Sequence, residues 1–412
     1  MRPGFDSRLD ALNVVSSGAD AREPEVLGVL PVRLSSFTTE RRLPLRPVEH
    51  QGPDFRLKYD DDTLIYEAMV TSDANRLVLL CPPFNNLGRA LRGMRVLDGD
   101  TGAVLPHRTM LFDRHNRIVV DQQPRADFVW LETSLGMIEV PVVDAETWRF
   151  RGRRVLLTKS KDNDIDWILD WVRFHRDCHG ADAVLVYDNG STRYTRQDLA
   201  TALKTVAGVA SAVVDWPFKF GPQGLDATHF WDSDYCEHAI LEHARWRFLG
   251  EARSVLHCDV DELVLSMRGG LSAFAVAEWL PHGFARFYGR WVPALKMEPS
   301  PTYKARRHRD FTVSLKSSPG LGRRGLPIDQ LRCPAKWAVV PRRTPMRAQW
   351  RTHGPTHWAI ARLPTPLLSY RHFRALSTNW KYDRNDVESF NPAHHRIDAE
   401  LVEHFARVNW TR

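Results

Sequence analysis

The chain has 412 residues, of which 43% are hydrophobic, and its formal net charge is +7. The length suggests about two or three domains, and the share of apolar residues excludes an intrinsically disordered chain. The basic residues are scattered rather than gathered in one block. This pattern leaves phosphate-bearing substrates, nucleic acid and a peripheral contact with an anionic membrane open as partners.

The cysteines and the N-terminus predict the compartment. The 5 cysteines are widely spaced and include no Cys-x-x-Cys pair, which predicts reduced thiols rather than a disulfide framework or a zinc ribbon. Residues 1–13 lack an apolar core, so we expect no signal peptide there. We also find no apolar run of about 18 residues, the length that spans a membrane. Together these features predict a cytoplasmic protein.

The N-terminal third divides into two predicted regions. Residues 1–55 are weakly patterned, which predicts a poorly ordered arm or a wrapping segment with one short strand over Val26–Leu34. Residues 56–150 alternate short β-prone runs with turn-forming pairs such as Asn85-Asn86. The runs begin at Thr63, Arg76, Arg117, Phe128 and Met137. Their spacing predicts an accessory all-β domain with a sandwich-like arrangement.

From residue 151 onward, strands and helices alternate. The runs Val155–Thr158 and Ala183–Tyr187 predict strands, and the apolar positions between them share one helical face. Asp162–Asp164 supply N-cap signals for that helix, and Gly180 supplies a C-cap. Further helices are predicted at Arg196–Lys204 and at about Asp232–Phe248, and further strands at Ser211–Val214 and Ser254–Cys258. Residues 151–390 are therefore predicted to form a Rossmann-like open α/β sheet, and residues 391–412 a C-terminal helix.

Acidic and polar residues follow two of these strands. Asp188-Asn189-Gly190 ends the first, where a carboxylate could bind a nucleobase or ribose, although these are also ordinary turn residues. Asp259-Val260-Asp261-Glu262 follows the second, between two apolar runs. Because Mg²⁺ and Mn²⁺ bind carboxylates together with substrate phosphates, this second group predicts a divalent-metal site.

These motifs, taken in order, resemble those of the family 92 glycosyltransferases, the domain-of-unknown-function 23 group. The resemblance covers residues 152–385 and also includes a late lysine, Lys336, and a histidine-aromatic pair, His372-Phe373. The family usually has Lys-Asn-Glu where this chain has Lys159-Ser160-Lys161, and His-Tyr where it has His372-Phe373. The resemblance implies an A-type glycosyltransferase (GT-A) fold, a nucleotide-sugar donor, Mn²⁺ or Mg²⁺ as cofactor, and inversion of the anomeric centre.

The resemblance also implies roles for individual residues. Asp188 would contact uracil or ribose, and Asp259 and Asp261 would hold the metal and the diphosphate, with Asp261 as the direct ligand. His372 would complete the metal site. The remaining donor-binding residues would be Thr158, Lys159, Asn189, Arg374 and Lys381. Arg374 and Lys381 would neutralise the departing diphosphate, which gains negative charge in the transition state.

Two further parts of the site are less specific in the sequence. Inversion requires a general base, for which Glu298, Asp310 and Asp329 are the candidates downstream of the acidic motif. The run from His353 to His357 contains Gly354-Pro355, which predicts a loop beside the active site rather than a helical pair of zinc ligands.

Two alternative functions use the same features differently. A nucleotidyltransferase could employ the acidic pair, but it usually needs a glycine-rich phosphate loop, which Thr158-Lys159-Ser160 does not provide. A basic nucleic-acid-binding protein would need no acids after a buried strand. We therefore expect a nucleotide sugar and a glycan or small-molecule acceptor as partners, and no nucleic acid.

Overall fold

The computed structural model describes residues 25–72, 75–222, 232, 235–267, 270–295, 306–321, 327–376, 378 and 388–411. Over these ranges the chain has a mixed α/β fold with two large sheets, one of eight strands and one of nine. Among the described residues, none of the helices combines the length and apolar character needed to cross a membrane. All five cysteines are described and carry free thiols, as predicted, with Cys178 partly exposed and the others buried.

The N-terminal segment differs from the single strand predicted for Val26–Leu34. Strand β1 (Val26–Leu27) pairs in parallel with the edge of the nine-stranded sheet. After Pro31, β2 (Val32–Arg33) pairs instead with β3 (Thr63–Ile65) in a separate two-stranded sheet. The ladder of β1 ends at Leu27, and residues 28–31 separate β1 from β2. The one-turn helix α1 (Phe55–Lys58) lies between β2 and β3.

Residues 67–144, here called the β module, form the eight-stranded sheet. Its strands are β4 (Glu67–Val70), β5 (Leu77–Cys81), β6 (Arg95–Asp98), β7 (Val104–Leu105), β8 (His107–Leu111), β9 (Asn116–Val120), β10 (Phe128–Thr133) and β11 (Gly136–Asp144). Their order is β7-β6-β10-β11-β4-β5-β9-β8, and the long strand β11 joins the two halves. Leu79 and Ile118 from one half share an apolar cluster with Val96 and Val129 from the other, so the halves face each other.

The rest of the chain supplies the nine-stranded sheet and its helices. The elements in chain order are β12 (Arg154–Ser160), α2 (Ile165–His179), β13 (Ala183–Asp188), α3 (Arg196–Lys204), β14 (Ala210–Asp215), α4 (Tyr235–His243), β15 (Ser254–His257), β16 (Glu262–Ser266), α5 (Ala273–Trp279), β17 (Phe284–Val292), β18 (Val313–Leu315), β19 (Pro319–Leu321), β20 (Pro327–Asp329), β21 (Cys333–Val339), β22 (Leu368–Phe373), β23 (His395–Ile397) and α6 (Ala399–Phe405). The sheet order is β1-β14-β13-β12-β15-β21-β17-β22-β16.

Helix α2 begins and ends where the sequence predicts. The Asp164 side chain accepts a hydrogen bond from the backbone N–H of Asp166, and Gly180 closes the helix with φ 70°. Glycine adopts this left-handed conformation without steric cost. The helix connects β12 to its parallel neighbour β13, so the predicted β-α-β unit is confirmed.

The sheet is parallel in one half and mixed in the other. Strands β14, β13, β12 and β15 run parallel, whereas β15 pairs antiparallel with β21, and β21 pairs antiparallel with β17. From β12 the chain proceeds to β13 and β14 on one side, then returns to β15 on the other. This reversal creates a crevice between the ends of β12 and β15, where open α/β sheets bind ligands.

Gly289 in β17 provides a test of the packing in the mixed half. A Cβ atom at this position would lie 2.6 Å from the Tyr370 ring, which is wholly buried. We expect Gly289→Ala to lower the free energy of unfolding by about 1–3 kcal/mol, because the ring has no room to move. Chemical denaturation measures the loss. The control Gly28→Ala adds a methyl group with nothing within 4 Å, and an equal loss there would contradict the explanation.

Candidate active site

A cavity of about 850 Å³ opens where the parallel strands of the nine-stranded sheet end. Lys159 near the end of β12, Asn189 after β13 and Asp259 after β15 all line it. The cavity therefore occupies the crevice created by the reversal of strand order. Residues of α4, β17, β21 and β22 complete its wall.

The acidic turn between β15 and β16, Asp259–Glu262, is held by its own backbone and by the neighbouring strand. The N–H of Glu262 donates to the Asp259 carbonyl at 3.0 Å, and the Glu262 carboxylate accepts from the Asp259 N–H at 2.8 Å. The N–H of Phe373, at the end of β22, donates to the Asp261 carbonyl at 2.8 Å. These bonds fix the direction in which both aspartates leave the chain.

His175 of α2 secures the strand that follows this turn. Its Nδ1–H donates to the Trp171 carbonyl at 2.8 Å, and its Nε2 accepts from the Val264 N–H at 3.2 Å. Burial lowers the pKa of this imidazole well below its usual range, which keeps the ring neutral and able to accept. His175 therefore has a structural role here.

Two lysines hold Asp259 between them. Lys159 Nζ lies 3.0 Å from Asp259 Oδ1 and 2.7 Å from Glu237 Oε1. Lys336 of β21 pairs with Asp259 Oδ2 and lies 2.8 Å from Glu262 Oε2. Both Asp259 oxygens thus face ammonium groups.

The opposite charges in this network stabilise each other's ionised forms. Burial alone would raise the pKa of Asp259, but Lys159 and Lys336 outweigh it and hold that pKa well below its usual range. Burial would likewise lower the pKa of Lys336, yet Asp259 and Glu262 raise it. Asp259 and Lys336 are therefore both ionised at neutral pH.

Asp261 faces a different partner. Its Oδ2 lies 3.1 Å from His372 Nε2, and the His372 ring stacks on Trp291 with ring centroids 4.4 Å apart. The side chains of Asp261 and His372 line the cavity and are largely buried, at 16% and 10% exposed. His372 Nδ1 also lies 3.5 Å from Glu262 Oε1, whereas Asp259 pairs with two lysines.

The side chains of the cavity suit a metal ion whose remaining coordination positions are filled by a substrate. Within the described residues, no group of three or more His, Cys, Asp or Glu is arranged to hold a metal ion by itself. Mg²⁺ and related ions commonly bind proteins through one or two carboxylates and complete their shell with water and substrate phosphates. Asp261 and His372 suit that kind of site, whereas the lysine contacts of Asp259 make it a poor direct ligand.

Three residues that were predicted to bind the nucleotide-sugar donor do not line the cavity. Thr158 is wholly buried and does not line the cavity. Asp188 is also wholly buried, and its carboxylate accepts from the Ser191 N–H at 2.9 Å, so it shapes the turn after β13 rather than facing a ligand. Arg374 does not line the cavity either, and its guanidinium lies over the Trp291 ring at 4.9 Å. Lys381 lies outside the described residues.

Two of the three predicted general bases lie away from the cavity. Asp310 is exposed and caps a short helical turn by accepting from the Arg307 N–H at 2.8 Å. Asp329 lies in β20, where its carboxylate accepts from the N–H groups of Ser318 and Leu331. Neither residue lines the cavity, because each is bound to the backbone of its own loop. Glu298 lies outside the described residues.

Sequence reasoning missed Glu237 and gave Lys336 only through the family resemblance. Glu237 is on α4 and accepts from Lys159 and, at 2.8 Å, from the Thr352 hydroxyl. Glu237 shares its helix with Glu242 and two histidines, and no local pattern distinguishes it from them. Lys336 stands in the apolar run of β21, and an unexpected charge in such a run is the signal that could have identified it.

The loop predicted beside the active site is confirmed. Residues from His353 to Thr356 line the cavity, whereas His357 packs against Phe112 of the β module with ring centroids 5.6 Å apart. The His353 Nδ1–H donates to the Ala335 carbonyl at 3.0 Å. The two histidines therefore do not form a metal pair.

Comparison with known proteins adds little to this geometry. No protein-family model matches the chain, and no curated protein matches it. Among solved structures, an active-site mutant of LgtC matches at 13% sequence identity and a TM-score of 0.24. That match covers 47% of this chain and 60% of the LgtC chain, so it spans less than two thirds of that protein. At this TM-score the likeness carries no argument, and the functional case depends on the cavity and the motifs.

The buried lysine network predicts a large effect on stability. We expect Lys336→Met to lower the free energy of unfolding by about 3–5 kcal/mol, because Asp259 and Glu262 lose a buried counter-charge. Chemical denaturation at neutral pH measures it. Lys58→Met is the matched control, since Lys58 also pairs with an aspartate but both side chains are exposed, at 47% and 66%. The control should lose less than about 1 kcal/mol. Equal losses would show that the Lys336 pairs are not structurally important.

Proposed function

We propose that the protein is a metal-dependent glycosyltransferase with a GT-A-type fold. It would transfer a sugar from a nucleotide-sugar donor, a UDP-sugar, to a hydroxyl group of a glycan or small-molecule acceptor, with inversion. The observation that carries the proposal is that the Asp261–His372 pair and two lysines line one cavity, which opens where β12 and β15 end. The order of the family 92-like motifs supports the class of donor and the stereochemistry.

The charge of the cavity supports a polyanionic ligand. Seven lysines and arginines line it against four acids. The basic residues are Lys159, Lys161, Lys336, Arg114, Arg286, Arg351 and Arg362, and the acids are Glu237, Asp259, Asp261 and Glu262. A surplus of cations in a partly enclosed site favours a diphosphate. The enclosure argues against nucleic acid as the ligand, because a duplex or strand needs an open basic face.

Each part of the site has a role in the proposed reaction. Asn163 and Asn189, at the ends of β12 and β13, would bind the nucleoside end of the donor. Asp261 and His372 would hold Mn²⁺ or Mg²⁺, which when bound would neutralise the charge developing on the departing diphosphate. Lys159 and Lys336 would keep Asp259 fixed and maintain a positive potential there without reorganising during the reaction.

The general base of the proposed reaction is His353. The acids lining the described cavity are engaged by Lys159, Lys336 or His372, so none of them is well placed to take a proton. His353 donates its Nδ1–H to the Ala335 carbonyl, which leaves Nε2 as the unprotonated ring nitrogen. That hydrogen bond also orients the ring, as a positioned base requires.

The pH dependence of transfer tests this assignment. Burial, and then the positive charge of Lys336, lower the pKa of His353, while Glu237 and Asp259 oppose them. The base is active when neutral, so activity should persist below pH 6.5 and fall as pH drops through the lowered pKa. His353→Gln should reduce kcat by about 10²-fold or more and remove this acidic limb. A variant that retains the limb would contradict the assignment.

Ligand-dependent thermal stability tests the donor site. UDP with Mn²⁺ should stabilise the wild-type protein by about 2.7 kcal/mol at 100 times its Kd, with little effect when the metal is omitted. Asp261→Ala should lose this stabilisation and keep the melting temperature of its ligand-free state. The matched control Asp144→Ala removes an exposed aspartate outside the cavity and should behave as wild type.

Two results would overturn the proposed function. If UDP with Mn²⁺ still stabilises the Asp261→Ala variant, Asp261 does not bind the metal. Release of pyrophosphate from nucleoside triphosphates, without hydrolysis of any nucleotide sugar, would favour a nucleotidyltransferase.

A further inference from the structure

We propose that the acceptor carries a phosphate group, which binds to four arginines on one wall of the cavity. The inference rests on the proposed function, since it names the class of the second substrate. The four residues, here called the arginine wall, are Arg114, Arg286, Arg351 and Arg362. Guanidinium groups bind phosphate oxygens through paired N–H donors, and several of them together suit a dianion.

The arginine wall is assembled from separate parts of the chain. Arg114 lies in the loop between β8 and β9 of the β module, and Arg286 lies in β17. Arg351 and Arg362 both come from the segment between β21 and β22. Sequence distance of this kind hides the group from any motif search, and only the fold brings its members to one cavity.

Two of the four arginines in this wall have no acidic partner among the described residues. Asp113 lies 3.2 Å from Arg351 and 3.8 Å from Arg114. Arg286 and Arg362 form no ion pair with a described acid. Arg286 Nε is also buried without a hydrogen-bond partner among the described residues. The charges of Arg286 and Arg362 are therefore available to an anionic ligand in the cavity.

The backbone leaves room for the Arg286 side chain. Gly354, in the His353 loop, has φ 118°, and a Cβ atom there would lie 3.6 Å from Arg286 Nη1. Only glycine adopts this conformation readily. The loop that carries the proposed base therefore passes directly beside the Arg286 guanidinium, so a phosphate bound there would bring its attached hydroxyl group close to His353.

The arginine wall is separate from the nucleoside end of the site. Arg286 lies in β17, which is three strands away from β12 in the sheet. At about 4.8 Å between neighbouring strands, the lateral separation from the end of β12 is about 14 Å.

The β module contributes directly to this wall. The loop that carries Arg114 is bound to the segment after β21 by Gln349 Nε2, which lies 2.6 Å from His115 Nδ1. The Asp113–Arg351 ion pair adds a second link. Acceptor binding would therefore be shared between the α/β part and the β module.

Calorimetric titration with inorganic phosphate tests the inference. The protein is first saturated with UDP and MgCl₂, so that its donor site is filled, and phosphate is then added. We expect phosphate to bind this complex. The double variant Arg286→Gln with Arg362→Gln should bind it at least about 10-fold more weakly, since each lost arginine removes a charge-assisted hydrogen bond. Arg309→Gln, which removes an exposed arginine outside the cavity, should bind as wild type.

The possible outcomes separate the two proposals. Phosphate that competes with UDP, or equal affinity in the double variant, would overturn the phosphate-binding wall. Absence of phosphate binding would overturn it as well. Failure of UDP to bind, with phosphate binding still weakened by the variants, would refute the proposed donor site and leave the anion site intact. If the double variant is unstable, exposed Arg362→Gln alone provides the same comparison with a smaller expected loss.

Discussion

The Asp259 carboxylate lies between the ammonium groups of Lys159 and Lys336, and the rest of the site is arranged around this contact. Lys159 belongs to β12, Asp259 follows β15 and Lys336 belongs to β21, so the ion pairs join three neighbouring strands near their ends. Removing either lysine would take one of two counter-charges away from the buried Asp259 carboxylate. The site is consequently shaped before any ligand arrives.

Local signals predicted the parts of the fold that depend on neighbouring residues. Helix α2 has its N-cap at Asp164 and its C-cap at Gly180, because caps and apolar periodicity act within a few residues. The acidic turn was predicted for the same reason, since two aspartates interrupt an apolar run. The single strand predicted over Val26–Leu34 was wrong, because the two short strands there pair with different, distant strands.

The remaining features depend on contacts between distant residues. Asp188 has the same sequence signal as Asp259, a carboxylate after a buried strand, yet it binds the Ser191 N–H instead of facing the cavity. Glu237 meets Lys159 only because α4 packs over the sheet. The antiparallel strand β21 brings Lys336 back into the crevice from a position 77 residues along the chain from Asp259. No local pattern encodes these meetings.

The β module is joined to the α/β part by buried polar contacts. His243 of α4 lies 2.7 Å from both the Glu67 carboxylate and the Tyr187 hydroxyl. All three residues are fully buried. At the cavity, the loop between β8 and β9 supplies Arg114 and binds the segment after β21. Loops at the tips of hairpins accept changes of length and sequence more readily than the strands they connect. Such a loop gives the protein a place where the lining of its cavity can diverge over evolution while the acidic turn stays constant.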